Sequence, residues 1–124
     1  MAILALFSSP TMTREQYEAL RREIGWEASP APGGIIHIAG FGDQGGIHVA
    51  DVWESAEALN QFVGSRLMPA MQKMNAPAPS VEIYPVHNAN AFAAVDAFKV
   101  KGASKPKAKA KAKPKAKAKG KKRK

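Results

Sequence analysis

The stretch Ile35-Ile36-His37-Ile38-Ala39-Gly40-Phe41-Gly42-Asp43-Gln44-Gly45-Gly46-Ile47-His48-Val49-Ala50-Asp51-Val52-Trp53-Glu54 decides the fold. Two strand-like runs, Ile35–Phe41 and Ile47–Glu54, flank glycines and one Asp that supply the positive φ values of a tight reversal. The register of this hairpin also decides the chemistry. If Gly42–Gly46 is a five-residue loop, Phe41 pairs with Ile47, His37 stands opposite Asp51, and Trp53 shares their face. A two-residue loop at Gln44-Gly45 pairs Gly42 with Ile47 and turns Asp51 and Trp53 away from His37, because strand side chains alternate. The five-residue loop is favoured, since it gives Asp51 an imidazole instead of leaving it alone on a strand.

Outward from the hairpin, the order of elements emerges. Ala2–Phe7 is short, apolar and ended by Ser8-Ser9-Pro10, which reads as a buried strand. Thr13 with Gln16 three residues on forms a capping-box signature. Tyr17, Leu20 and Ile24 then recur at helical spacing before Gly25, so an amphipathic helix is predicted with Tyr17 in its apolar stripe. Ser29–Gly34 is a loop. Ser55 caps a second helix whose stripe is Leu59, Phe62, Val63 and Leu67, and Pro69 opens a further short helix carrying Met71 and Met74. Val81–His87 reads as a fourth strand, and Pro85, which cannot donate to a ladder, makes it an edge strand or marks its end. From Asn90 to Phe98 the chain reads either as a weak helix capped by Asn90 or as a connector.

Strand, helix, strand, strand, helix, strand is the ferredoxin-like βαββαβ plan, an α+β fold with one antiparallel sheet and helices on one face. Ile35, Ile36 and Ile38 leave the second strand without a solvent side, so the other sheet face needs a cover. A second copy of the chain, related by a two-fold axis, is the expected cover, and a homodimer is the expected assembly.

Charge divides the chain. Residues 99–124 hold 14 of the 19 Lys/Arg and none of the 10 Asp/Glu, so residues 1–98 carry a net charge of −5 and the tail +14. All nine aromatics lie at or before Phe98. The expected organisation is a folded domain over 1–98 and a disordered Lys/Ala/Pro-rich tail over 99–124, which has too little apolar surface to offset the entropy of ordering. Lys105, Lys107, Lys109, Lys111, Lys113, Lys115, Lys117, Lys119, Lys121, Lys122, Arg123 and Lys124 are its candidate nucleic-acid-binding residues. No aromatic interleaves them, which removes base stacking and leaves phosphate contact with a polyanion such as DNA or RNA. The tail resembles those of linker histones and of some bacterial nucleoid proteins.

Zero Cys excludes disulfides, thiolate zinc sites and cysteine catalysis. The longest clean apolar run, Ala2–Phe7, falls far short of the ~20 residues of a membrane span, and no basic segment precedes it. A cytoplasmic location is expected, with nucleoid association through the tail. No phosphate loop, nucleophile elbow, HxH, HExxH or EF-hand spacing is present, and His48 points away from His37, so no metal site is expected.

Several motifs together carry a family resemblance: His37-x-Ala39-Gly40, the Gly45-Gly46 turn, Asp51-Val52-Trp53-Glu54-Ser55, Phe62, Arg66-Leu67-x-Pro69-Ala70 and Pro85-Val86-His87-Asn88. Over about residues 1–90 the chain resembles small proteins of the dimeric α+β barrel superfamily, which includes antibiotic-biosynthesis-monooxygenase-like domains. The resemblance implies a small organic ligand held between helices and sheet, and cofactor-independent oxygenation among the candidate activities. Haem-degrading members use an Asn on the first strand, and Ala2–Phe7 has none.

The candidate catalytic pair is His37 as base and Asp51 as its orienter, because a carboxylate beside an imidazole fixes the tautomer that a general base requires. Trp53 is the candidate apolar wall for a planar ligand, with Arg66 and His87 as further ligand-binding candidates. The alternative for His37 and Asp51 is a structural pair that satisfies two half-buried polar groups. At the level of the whole protein, the alternative is a catalytically silent dimer that presents two basic DNA-binding tails.

Overall fold

The computed structural model describes residues 1–100. The tail lysines named above, from Lys105 to Lys124, and Arg123 lie outside them. Four strands run β1 (Ile3–Ser9), β2 (Gly34–Phe41), β3 (Ile47–Trp53) and β4 (Ser80–Pro85). They form one antiparallel sheet in the order β2-β3-β1-β4, the ferredoxin-like arrangement. The helices are α1 (Arg14–Ile24), α2 (Ala56–Phe62) and α3 (Met68–Lys73), with a π-helical turn over Val63–Leu67 joining α2 to α3.

Local chemistry sets the ends of these elements. The Gln16 N–H donates to Thr13 Oγ1 at 3.1 Å and the Thr13 N–H to Gln16 Oε1 at 2.9 Å, a complete capping box. Gly25 ends α1 at φ 71° and donates its N–H to the Arg21 carbonyl at 2.8 Å. Ser55 Oγ accepts the Ala58 N–H at 3.1 Å and starts α2. The expected break at Pro69 is instead a widened turn within one helical run. Pro69 has no N–H for the Ser65 carbonyl and its ring crowds that carbonyl, so the helix runs wide just before it.

The sheet has two unlike faces. Toward the helices point Ile3 and Ala5 of β1 and Ile47, Asp51 and Trp53 of β3, all buried, against Tyr17 and Leu20 of α1, Leu59 and Phe62 of α2, and Leu67 and Met71 beyond. The opposite face carries Leu4, Leu6, Ile36, Ile38, Val52 and Tyr84, of which Ile38 is 58% and Tyr84 48% exposed. An open depression of about 370 Å³ lies on that face, floored by Leu6, Ile38 and Ala50 and bordered by His48, Ser80 and Glu82. β4 is an edge strand, and Pro85 is its last residue.

The hairpin closes with Gly42–Gly46 as the loop. The Gly42 N–H donates to the Gly46 carbonyl at 3.1 Å, and Phe41 pairs with Ile47. Farther along, the register shifts: Gly34 faces Trp53 and Ile36 faces Val52, leaving Ile35 as a bulge that is 54% exposed. The triple-isoleucine run therefore contributes two residues to the helix-free face and one to the bulge.

A second unit comprises Trp26–Pro30 and, within the described residues, 91–100. Its regular element is a 3₁₀ helix over Ala93–Phe98, preceded by Phe92 and without a side-chain cap, so Asn90 does not start a helix. Asp96 Oδ1 pairs with Lys99 Nζ at 2.9 Å. Among the described residues, no helix is long and apolar enough to cross a membrane.

Gly33 tests how the hairpin is seated against α2. It adopts φ +88°, and a Cβ built on it meets the Ala58 Cβ at 2.5 Å. Gly33→Ala should therefore lower stability by roughly 2–4 kcal/mol, from left-handed strain plus overpacking. Urea denaturation followed by Trp fluorescence reads this, and an unchanged midpoint would show that the loop and helix reseat freely.

Candidate functional site

The favoured register buries a carboxylate. Asp51 is 6% exposed and is the one buried carboxylate among the described residues. A buried charge needs hydrogen-bond donors around it, and two elements supply them. From β2, directly across the ladder, His37 brings Nδ1 to Asp51 Oδ1 at 2.7 Å. From two residues along β3, on the same face, the Trp53 indole N–H donates to Asp51 Oδ2 at 3.1 Å. Ala5, the cross-strand neighbour of Asp51 on β1, is fully buried and too small to crowd the pair.

The other end of the imidazole is also engaged. The Tyr17 hydroxyl, on the inner stripe of α1, lies 2.8 Å from His37 Nε2. The two rings are nearly parallel, 12° apart, with centroids at 6.2 Å. Four residues from α1, β2 and β3 thus form one hydrogen-bonded chain, Tyr17–His37–Asp51–Trp53. Aromatic rings extend it at both ends. Phe41 meets Tyr17 edge-on with centroids at 5.8 Å, and the Arg14 guanidinium stands 4.8 Å above the Phe41 ring. At the other end, Phe62 of α2 packs against Trp53 at 5.2 Å.

The helical stripe makes Tyr17 a core residue. Its ring is indeed buried, at 9% exposure. A buried phenol needs a polar partner; the need follows from the sequence, and the fold supplies His37 as the partner.

Trp53 is more than an apolar wall, because its indole N–H helps hold the carboxylate. Arg66 sits in the π-helical turn and donates from Nη2 to the Ile24 carbonyl at 3.0 Å, with its guanidinium 5.8 Å from the Phe62 ring centroid. It ties the C-terminal end of α1 to the second helical run. His87 follows β4 at an exposed position and takes no part in the hydrogen bonds that join Tyr17, His37, Asp51 and Trp53. His48 faces Gly40 on the helix-free side. No group of three or more His, Cys, Asp or Glu side chains capable of holding a metal ion occurs among the described residues.

Asp51 carries the structural half of this arrangement. Asp51→Ala would leave the buried indole N–H and the imidazole Nδ1 without their acceptor. A loss of roughly 2–3 kcal/mol is expected in chemical denaturation, the cost of stranding buried donors. Asp51→Asn, which keeps one acceptor oxygen, should lose less. Equal stability of Asp51→Ala and the native chain would mean that neither donor depends on the carboxylate.

No family model matches the chain, and no curated protein does. Solved structures do. SnoaB, a cofactor-independent oxygenase from Streptomyces nogalater, matches at TM-score 0.54 and 9% identity over 71% of this chain and 94% of its own. A Chloroflexus aurantiacus protein provisionally named an antibiotic biosynthesis monooxygenase matches at TM-score 0.55 and 16% identity, covering 73% of this chain and 98% of its own. The NE2512 protein of Nitrosomonas europaea, of unknown function, matches at TM-score 0.56 and 16% identity over 75% and 97%. At such identities the shared property is the fold: the chain has the α+β fold of the antibiotic-biosynthesis-monooxygenase-like domains, as its sequence motifs implied.

Proposed function

We propose that the domain binds a small electron-rich organic molecule, a phenol or an enol, and removes its acidic proton without a cofactor. The observation that carries this reading is the chain Tyr17–His37–Asp51–Trp53, with an imidazole held at both nitrogens over a buried carboxylate. His37 is the final acceptor of the proton. Asp51 fixes its tautomer and balances the imidazolium charge, and Trp53 fixes Asp51. The anion so formed is electron-rich enough to reduce dioxygen. One oxygen atom enters the substrate, the other leaves as water, and the substrate itself supplies the electrons. The similarity in fold to a cofactor-independent oxygenase supports this choice of reaction over others that a base could serve.

The functional particle on this reading is a homodimer. A second copy covers the helix-free face, where Leu4, Leu6, Ile36, Ile38, Val52 and Tyr84 form an apolar surface that a two-fold contact buries on both copies. Native mass spectrometry of the full chain isolated from its own host tests both parts. The expected result is a dimer mass carrying a small organic molecule, which His37→Ala loses while remaining dimeric. A bare monomer would contradict the assembly, and a bound molecule unaffected by His37→Ala would remove His37 from the site.

A second reading rests on the 14 basic residues in 99–124, with no acid among them. In it, the tails of the dimer bind a polyanion and tether the domain to nucleic acid, with two tails per particle raising avidity. Full engagement of the tail on duplex DNA gives a salt slope near −0.9 per charge, about −13 for 14 contacts. Deleting residues 99–124 should abolish retention on DNA at low salt, leaving a domain of net charge −5. Retention by that acidic remainder would refute the tether.

A further inference from the structure

Both ring nitrogens of His37 are engaged, and this determines which atom can face a substrate. The Trp53 indole N–H can only donate, and an ionised carboxylate can only accept. Asp51 therefore accepts from Trp53 at Oδ2 and from the His37 Nδ1–H at Oδ1. In the neutral imidazole that leaves Nε2 as the acceptor, and the Tyr17 O–H donates to it at 2.8 Å. The lone pair that a direct base would use is thus already committed to Tyr17. The His37 side chain is still 34% exposed. Tyr17, its hydrogen-bond partner, is 9% exposed.

We propose that Tyr17, not His37, is the group that meets the substrate, and that the chain is a two-step proton relay. This rests on the proton-abstraction reading above and assigns its contact atom. A phenol oxygen that donates its one proton keeps two lone pairs and can accept a hydrogen bond from a substrate O–H. On reaction the substrate O–H bond breaks and its proton forms a new O–H on Tyr17. In the same event the original Tyr17 proton passes to Nε2. The products are a substrate anion, a neutral tyrosine and an imidazolium. Tyr17 never carries a full negative charge, which a phenol at neutral pH would resist.

The geometry holds both end states without rearrangement. Before transfer, Tyr17 donates to Nε2 and Nδ1–H donates to Asp51. After transfer, Nε2–H donates to Tyr17 and Nδ1–H still donates to Asp51. The heavy atoms at 2.8 Å and 2.7 Å serve in each case, so only protons move. This is the preorganisation a base site needs. A direct attack by His37 would first have to break the Tyr17 bond.

The two routes differ in what Tyr17→Phe does, and the full chain with para-nitrophenol as probe separates them. The anion of this phenol is yellow, and its appearance on the protein just below its own ionisation pH reads proton abstraction directly. The native chain is expected to bind the probe as its anion, and His37→Gln to lose that ability. The relay requires Tyr17→Phe to lose it too, by on the order of a hundredfold in apparent affinity for the anion. If Tyr17→Phe retains or strengthens the colour, His37 acts directly and the relay is wrong, while proton abstraction stands. If the native chain leaves the probe colourless, proton abstraction falls and the relay with it.

Circular dichroism checks that each variant keeps its fold. A measurement on the native chain needs no variant. Nitrogen-15 spectra of His37 should show the Nδ1–H tautomer at rest and a proton arriving on Nε2 when the probe binds. A resting Nε2–H tautomer, or an Nε2 signal that the probe does not move, would overturn the relay.

Discussion

The parity of one hairpin loop governs this molecule. Strand side chains alternate faces, so an odd change in register would carry every residue of β3 to the wrong side of the sheet. With Gly42–Gly46 as the loop, Asp51 and Trp53 point under the helices and Ala50 and Val52 point away. A single-residue slip would expose the Trp53 ring and bury Ala50 and Val52 in its place. It would also leave His37 without a carboxylate and Tyr17 with an imidazole of undefined tautomer. The core and the polar chain thus depend on the same constraint, and the polar residues help to enforce it, because a buried carboxylate tolerates only a register that brings it donors.

Much of this was legible beforehand, for reasons that can be named. The capping box at Thr13 and Gln16, the terminating Gly25 and the cap at Ser55 are local signals whose partners lie within four residues. The hairpin register followed from weighing two loops against the needs of Asp51. What escaped reading depends on distant parts of the chain or on small shifts of geometry. The bulge at Ile35 has no signature in three isoleucines; it appears only in the pairing, where Gly34 faces Trp53 and Ile36 faces Val52. The π-helical turn arises where Pro69 meets a helix that packing prefers to continue. Arg66, a ligand-binding candidate in the sequence, uses its reach to hold the Ile24 carbonyl at the end of α1.

The Tyr17 hydroxyl is the most instructive omission. Helical periodicity shows that a residue faces inward and says nothing about what its polar tip will meet. That meeting required α1 to lie over β2, which is a property of topology. Once the order β2-β3-β1-β4 is known, the inner stripe of α1 stands above the one row of the sheet that carries His37 and Asp51. The site is therefore a product of the fold's layering. The likeness to structures below a fifth identity supports that layering and leaves the identity of the reacting groups to this chain's own residues.

The central position of β1 has a consequence for how the chain is made. β1 is made before the other three strands of its sheet, yet it pairs with β3 on one side and with β4 on the other, Ile3 meeting Trp53 and later Pro85. The hairpin of β2 and β3 closes locally and quickly, whereas β1 must wait for nearly the whole domain to be synthesised. Throughout that interval a strand with both backbone edges open and apolar side chains on both faces stands unprotected, the kind of segment that aggregates in crowded translation. Of the four strands, β1 is thus the one that waits longest for its second partner during synthesis.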